Sequence, residues 1–185
     1  NQMEFSLPEK IAKDVQTSFD EWKNADKIGR IWNKDSSVWT NDDEAKWLGW
    51  LEIVAQELNE LQKYKDFAED AKNFKDIVLL GMGGSSLCPE VFSITFGIQN
   101  FHVLDSTVPA QIKTLESKLD LSKTLFIVAS KSGSTLEPNT FKQYFCKRVA
   151  ETVGEENAGK HFVAITDPNS KMQQVAERDG FRKIF

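Results

Sequence analysis

The sequence predicts an α/β fold, a doubly wound five-stranded parallel sheet in three α/β/α layers, preceded by a helical layer. Three observations lead there. From residue 76 onward, short apolar runs alternate with longer amphipathic stretches. The runs are continuous in their hydrophobicity, which marks strands covered on both faces. Before residue 75 the pattern is helical throughout. Strands separated by helices imply a parallel sheet with right-handed crossovers. The expected division is a helical segment, 1–75, packed on a domain formed by 76–185.

In the first segment, Ser6-Leu7-Pro8-Glu9 has the spacing of a capping box with proline in the first turn. Ile11, Val15, Phe19 and Trp22 then follow at spacings of three and four, an amphipathic stripe. A second helix is expected from about Asp43 to Lys63, its stripe being Trp47, Leu48, Leu51, Val54, Ala55, Leu58 and Leu61. All five tryptophans, Trp22, Trp32, Trp39, Trp47 and Trp50, fall in the first fifty residues. Large aromatics dominate core packing, so they are expected to anchor the helical layer. The alternative is an interface with an absent partner domain.

The strands are expected at Asp76–Gly81, Phe101–Asp105, Thr124–Ala129 and Phe162–Ile165, with a weaker fifth at Phe181–Phe185. The clearest helix between them is 136–153, carrying Phe141, Tyr144, Phe145, Val149 and Val153 on one face. Asp167-Pro168-Asn169-Ser170 reads as a turn, with Ser170 capping a helix that ends near Gly180.

The chain has 185 residues, 40% of them hydrophobic, and a net charge of -5 with basic and acidic residues interspersed. No clustered Lys and Arg offer a nucleic-acid surface. No apolar stretch approaches the ~18 residues of a membrane span, and the polar N-terminus does not resemble a signal peptide. The two cysteines, Cys88 and Cys146, are expected as reduced thiols of a cytoplasmic protein. No Cys/His spacing suggests a metal site, and no cofactor is expected. The sequence begins at Asn1 and stops at Phe185 straight after an expected strand, so it is expected to be a piece of a longer protein.

In an open parallel sheet, ligands bind beyond the carboxyl ends of the strands. Two such ends are chemically unusual. Gly81-Met82-Gly83-Gly84-Ser85-Ser86 follows the first strand and opens a helix expected to run to about Phe96. Glycines let backbone N–H groups approach a ligand, Ser85 or Ser86 can cap the helix, and a helix start favours phosphate. The spacing departs from the dinucleotide pattern, because Ser86 stands where its last glycine would be. A tight turn without a ligand is the alternative. The second end is Ser130-Lys131-Ser132-Gly133-Ser134-Thr135-Leu136-Glu137. Hydroxyls, backbone N–H groups and one lysine suit the oxygens of a phosphate monoester. With Thr135 as N-cap, Pro138 falls in the first turn, where its missing N–H is harmless. Glu137 sits in the same turn, against the positive end of the helix dipole.

These paired loops resemble those of the phosphoglucose isomerase family, a Gly-x-Gly-Gly-Ser turn followed some forty-five residues later by Ser-Lys-(Ser/Thr)-x-(Ser/Thr)-Thr-x-Glu. Ile165-Thr166-Asp167-Pro168 is similar to the bacterial members, and the resemblance covers roughly 76–185. The segment around Trp39 and Trp47-Leu48-Gly49-Trp50-Leu51 is similar to the isomerase part of fused transaldolase/phosphoglucose isomerase proteins. The resemblance implies a sugar-isomerase (SIS-type, flavodoxin-like) domain that binds a hexose 6-phosphate. Ser130, Lys131, Ser132 and Thr135 match the phosphate-holding positions, with Ser134 in the same loop. Gly84 and Ser85 match a substrate-contacting turn. Glu137 matches an acidic position that supports a histidine supplied from elsewhere in the assembly. Pro138-Asn139 departs from the family, where many members carry Thr. That departure is expected to perturb the helix start only. His102 and His161 match no catalytic position.

The reaction implied is the interconversion of glucose 6-phosphate and fructose 6-phosphate, with ring opening and proton transfer between C1 and C2. Such chemistry needs a positioned base and a group that stabilises enediol charge. The family's base glutamate, ring-opening histidine, arginine and lysine match nothing in these 185 residues. The expectation is therefore a binding fragment that is inactive alone. Its partners would be a second sugar-phosphate domain of the parent chain and, in the parent, a second subunit of a homodimer. Two other readings remain: a non-catalytic SIS sensor or amino-sugar enzyme domain, which would use the same loops, and a nucleotide-binding module at the Gly81–Ser85 turn, in which the hydroxyl-rich second loop has no purpose.

Overall fold

The computed structural model describes residues 6–185. Residues 1–5 of the expected helical segment lie outside the described residues. The chain divides into two compact units, Asn1–Lys65 and Asp66–Phe185.

The first unit holds α1 (Glu9–Asn24), α2 (Lys27–Trp32), three short 3-10 turns (Ser36–Val38, Glu44–Lys46, Leu48–Leu51) and α3 (Ile53–Asn59). The helix α4 (Leu61–Ala71) begins in it and ends in the second unit. The capping box does not form. Pro8 is itself the N-cap of α1, with no side-chain cap bond. A cap at Ser6 would require helical backbone at Leu7, and the ring of a following proline disfavours that conformation. The single helix expected from Asp43 to Lys63 is instead two 3-10 turns, α3 and the start of α4. Gly49, Ile53 and Val54 all lower helix propensity there, and the chain leaves the helix at Glu60. Among the described residues of this unit, Leu48 is the one buried large hydrophobic. All five tryptophans are 42–61% exposed, so they build no core. Ile11, Val15 and Phe19 of the expected stripe are likewise exposed.

The second unit holds β1 (Asp76–Leu80), α5 (Gly84–Thr95), β2 (Phe101–Leu104), α6 (Pro109–Glu116), β3 (Thr124–Ala129), α7 (Leu136–Val153), α8 (Glu155–Ala158), β4 (Phe162–Ile165), α9 (Lys171–Arg178) and β5 (Lys183–Ile184). All strand pairs are parallel, in the order β2-β1-β3-β4-β5. This is the SIS-like three-layer α/β/α arrangement. Strand side chains divide between the two faces with the period of two that a pleated strand imposes. Val78, Leu80, Phe126, Val128, Phe162 and Ala164 pack with Phe141, Phe145 and Val149 of α7 and with Met172 and Ala176 of α9. Phe126 stacks on Phe145 at 4.7 Å and on Phe162 at 5.0 Å between ring centroids. On the opposite face Leu125 and Val163 pack with Phe67 and Ala71 of α4. Burial of both faces of the central strands β1 and β3 explains why they read as unbroken apolar runs.

The two histidines sit at the amino ends of their strands. His102 Nε2 lies 2.9 Å from Asp76 Oδ1, and His161 Nδ1 lies 2.9 Å from the Thr124 carbonyl, to which it must donate. Cys88 is exposed and Cys146 half-buried, both as free thiols, and burial pushes the Cys146 thiol up to about 11. No helix among the described residues is long and apolar enough to cross a membrane.

Candidate functional site

The strand order reverses around β1, whose neighbours are β2 and β3. Parallel sheets of this order leave a crevice between β1 and β3 at their carboxyl ends. Leu80 is paired with Val128, so the chain leaves β1 at Gly81 and β3 at Ser130 within one residue of the same level. The two unusual loops therefore emerge side by side on one rim of the sheet. His102 and His161 lie at the other rim.

The first loop is shaped by close backbone approach. A Cβ on Gly81 would stand 2.9 Å from the Ser85 carbonyl, a carbonyl for which Pro89 has no N–H to offer. Gly83 has φ +57° and is the N-cap of α5, so neither Ser85 nor Ser86 caps that helix as expected. Ser86 is fully buried, and its hydroxyl is 3.0 Å from the Gly83 carbonyl and 3.4 Å from Asp105 Oδ2. It braces the turn from inside. Gly84 is exposed and Ser85 half-buried. Apart from its chain neighbours and its own helix backbone, nothing among the described residues lies within 4 Å of where a Gly84 Cβ would be, leaving open space over the helix start.

The second loop is held at both ends. The Ser130 amide donates to the Ile165 carbonyl (3.0 Å) and the Asp167 amide to the Lys131 carbonyl (2.9 Å), carrying the β3–β4 ladder past the strands. Gly133 adopts φ +68° and is packed against the backbone of Met172 at the start of α9. Ser132 and Ser134 share a hydrogen bond between hydroxyls at 2.6 Å, and the Ser134 amide donates to Ser132 Oγ at 3.2 Å. Lys131, Ser132, Ser134 and Thr135 are exposed. Ser130 is 3% exposed, and its Oγ is buried without a hydrogen-bond partner. Thr135 is the N-cap of α7 but makes no side-chain cap bond. Glu137 lies half-buried in the first turn of that helix.

Two supports were not foreseen from the sequence. Asn139 Nδ2 donates to the carbonyls of Gly133 (3.0 Å) and Thr135 (2.7 Å), so the Pro138-Asn139 departure ties the loop to α7. Thr166 Oγ1 is 2.7 Å from the Ser130 carbonyl and 3.1 Å from that of Lys131. An Asn four residues into a helix and a Thr just past a strand look like ordinary surface residues. Only the folded turn at Asn139 and the long-range pairing at Thr166 expose their reach.

The family model for phosphoglucose isomerase matches residues 54–179. The chain belongs to the phosphoglucose isomerase family. Within that family, it is 34% identical over 139 residues to the glucose-6-phosphate isomerase of Thermus thermophilus, covering 73% of this chain and 33% of the relative. The glucose-6-phosphate isomerase of Campylobacter jejuni is 33% identical over 144 residues, covering 75% of this chain and 35% of the relative. The chain thus spans about a third of the length of these curated relatives. A crystal structure of a hypothetical protein from Thermus thermophilus superposes with a TM-score of 0.75 at 28% identity, covering 94% of this chain and 40% of that one. The phosphoglucose isomerase match includes both loops, Thr166 and Asn139.

Proposed function

We propose that this chain is the first sugar-phosphate-binding domain of a glucose-6-phosphate isomerase, residues 76–185 forming the SIS domain and 1–75 its helical segment. The observation that carries the reading is the emergence of the two donor-rich loops from neighbouring parallel strands at one rim. A hexose 6-phosphate placed there has its phosphate in the 130–135 loop and its sugar over Gly84 and Ser85. Ser130, Ser132, Ser134 and Thr135 offer hydroxyls, and Lys131 offers charge. Ser130 Oγ has no hydrogen-bond partner among the described residues but lies out of solvent reach, so its contact with a phosphate oxygen requires the loop to open around it.

In this reading the chain's part in the isomerisation is orientation. Fixing the phosphate holds C1 and C2 at a set distance from the groups that move protons, and such positioning is worth several orders of magnitude in rate. Glu137 supports the ring-opening histidine that another part of the parent supplies. The parent is a cytoplasmic homodimer with a second sugar-phosphate domain. The tryptophan-rich segment carries the narrower likeness to transaldolase fusions.

Calorimetric titration with glucose 6-phosphate, inorganic phosphate and NAD tests the site. Binding of both phosphate ligands, lost in Ser132→Ala/Thr135→Ala, is the expected outcome. Preferential NAD binding would make the chain a nucleotide module. A coupled assay for fructose 6-phosphate should find no turnover by this chain alone. Near-normal turnover would refute the assignment of orientation without catalysis.

A further inference from the structure

We propose that Thr166 is a positioning residue for the phosphate loop, acting together with Ser170; this rests on the reading of 130–135 as the phosphate grip. The Thr166 hydroxyl has one proton, and it is directed at the carbonyls of Ser130 (2.7 Å) and Lys131 (3.1 Å). Its 2.7 Å contact with Ser170 Oγ must then have Ser170 as the donor. Ser170 Oγ in turn accepts the Gln173 amide at 3.0 Å, as N-cap of α9. A single directed chain results, from the α9 amide through two hydroxyls to the first carbonyls of the loop. Hydrogen bonds in such a chain polarise and strengthen one another.

The consequence follows from peptide geometry. Every peptide bond described is trans, and in a trans peptide the N–H points opposite to the preceding C=O. Holding the Ser130 and Lys131 carbonyls toward Thr166 therefore aims the N–H groups of Lys131 and Ser132 away from it. Without that hydroxyl, the Ser130–Lys131 peptide plane can rotate and turn its carbonyl oxygen toward the bound anion. The Asp167 amide fixes the Lys131 carbonyl a second time, but the Ser130 carbonyl depends on Thr166 and on a longer, 3.3 Å bond from the Gly133 amide. Thr166 touches no substrate in this arrangement. It sets the direction of groups that do.

The test compares the whole chain with Thr166→Val, Thr166→Ser and a destabilised core control, Val163→Ala. Affinity for glucose 6-phosphate and for inorganic phosphate is measured, together with amide exchange at Lys131 and Ser132 in the free protein. Thr166→Val should weaken both ligands about tenfold and speed exchange, as expected for losing a structured hydrogen bond. Thr166→Ser should restore both to within about twofold, since it keeps the hydroxyl. Val163→Ala should lower stability and leave affinity unchanged. Wild-type affinity and exchange in Thr166→Val, or equal weakening by Val163→Ala, would overturn the inference. Should the wild-type chain bind neither ligand, the phosphate reading falls. Exchange then decides the positioning role alone: faster in Thr166→Val upholds it, unchanged rejects it.

Discussion

Gly133 packs so closely on the backbone nitrogen of Met172 that no side chain fits between them. The same residue needs φ +68°, a conformation costing an L residue roughly 1–2 kcal/mol. Gly133→Ala should therefore destabilise the chain by about 3 kcal/mol, strain and overpacking combined. Urea unfolding measures this, and a loss under about 1 kcal/mol would show that the loop can lift off α9 at little cost.

Gly84→Ala should behave in the opposite sense. Its Cβ meets nothing within 4 Å, and the position is helical. Alanine there should raise stability by about 0.5–1 kcal/mol. The same methyl would occupy the space assigned to the sugar, so hexose 6-phosphate affinity should fall. A variant that is both more stable and a normal binder would remove Gly84 from the site.

Ser130→Ala separates stability from binding in another way. A buried hydroxyl without a partner is a liability of roughly 1–3 kcal/mol in the free protein. Replacing it by a methyl should leave stability equal or raised by about 1 kcal/mol. Phosphate affinity should drop about five- to tenfold, read by calorimetry. Lower stability with unchanged affinity would make Ser130 a packing residue.

Acid stability should report on Asp179. Burial pushes its carboxyl up, but hydrogen bonds from Arg178 and from the buried Lys142 outweigh that and hold it below its ordinary 3.8. A carboxyl with a lowered pKa in the folded state contributes stability that is full above its unfolded value and lost as pH falls through the folded one. The stability that Asp179 contributes should therefore fade as pH falls below about 4. Asp179→Asn should be less stable at pH 7 by about 1–3 kcal/mol, with a shallower fall in acid. Parallel pH curves for the two proteins would contradict this role.

The sheet was legible in the sequence because strands buried on both faces leave unbroken apolar runs. Thr124–Ala129, Phe162–Ile165 and Leu136–Val153 fall where expected. The helical segment was less legible. Its apolar spacing suited one long helix, but the segment breaks at Glu52 and at Glu60. The tryptophans were expected to anchor the helical layer or to face an absent partner domain; they are exposed, because periodicity identifies an apolar face without saying what covers it. At the site, the donor-rich loops stood out by composition. Their supports did not, since Asn139 acts through a helix turn and Thr166 through a partner 36 residues away.

That separation also has a temporal meaning. Strand β3 can add to β1 as soon as it has been synthesised, but beyond Asn139 the ties on its loop come from Ile165, Thr166 and Asp167. Closing so long a stretch of chain is slow relative to local helix formation. On the ribosome the anion grip thus stays incomplete until the chain through Asp167 has been made, and so does the interior, which draws Phe162, Ala164, Met172 and Ala176 from the same late stretch.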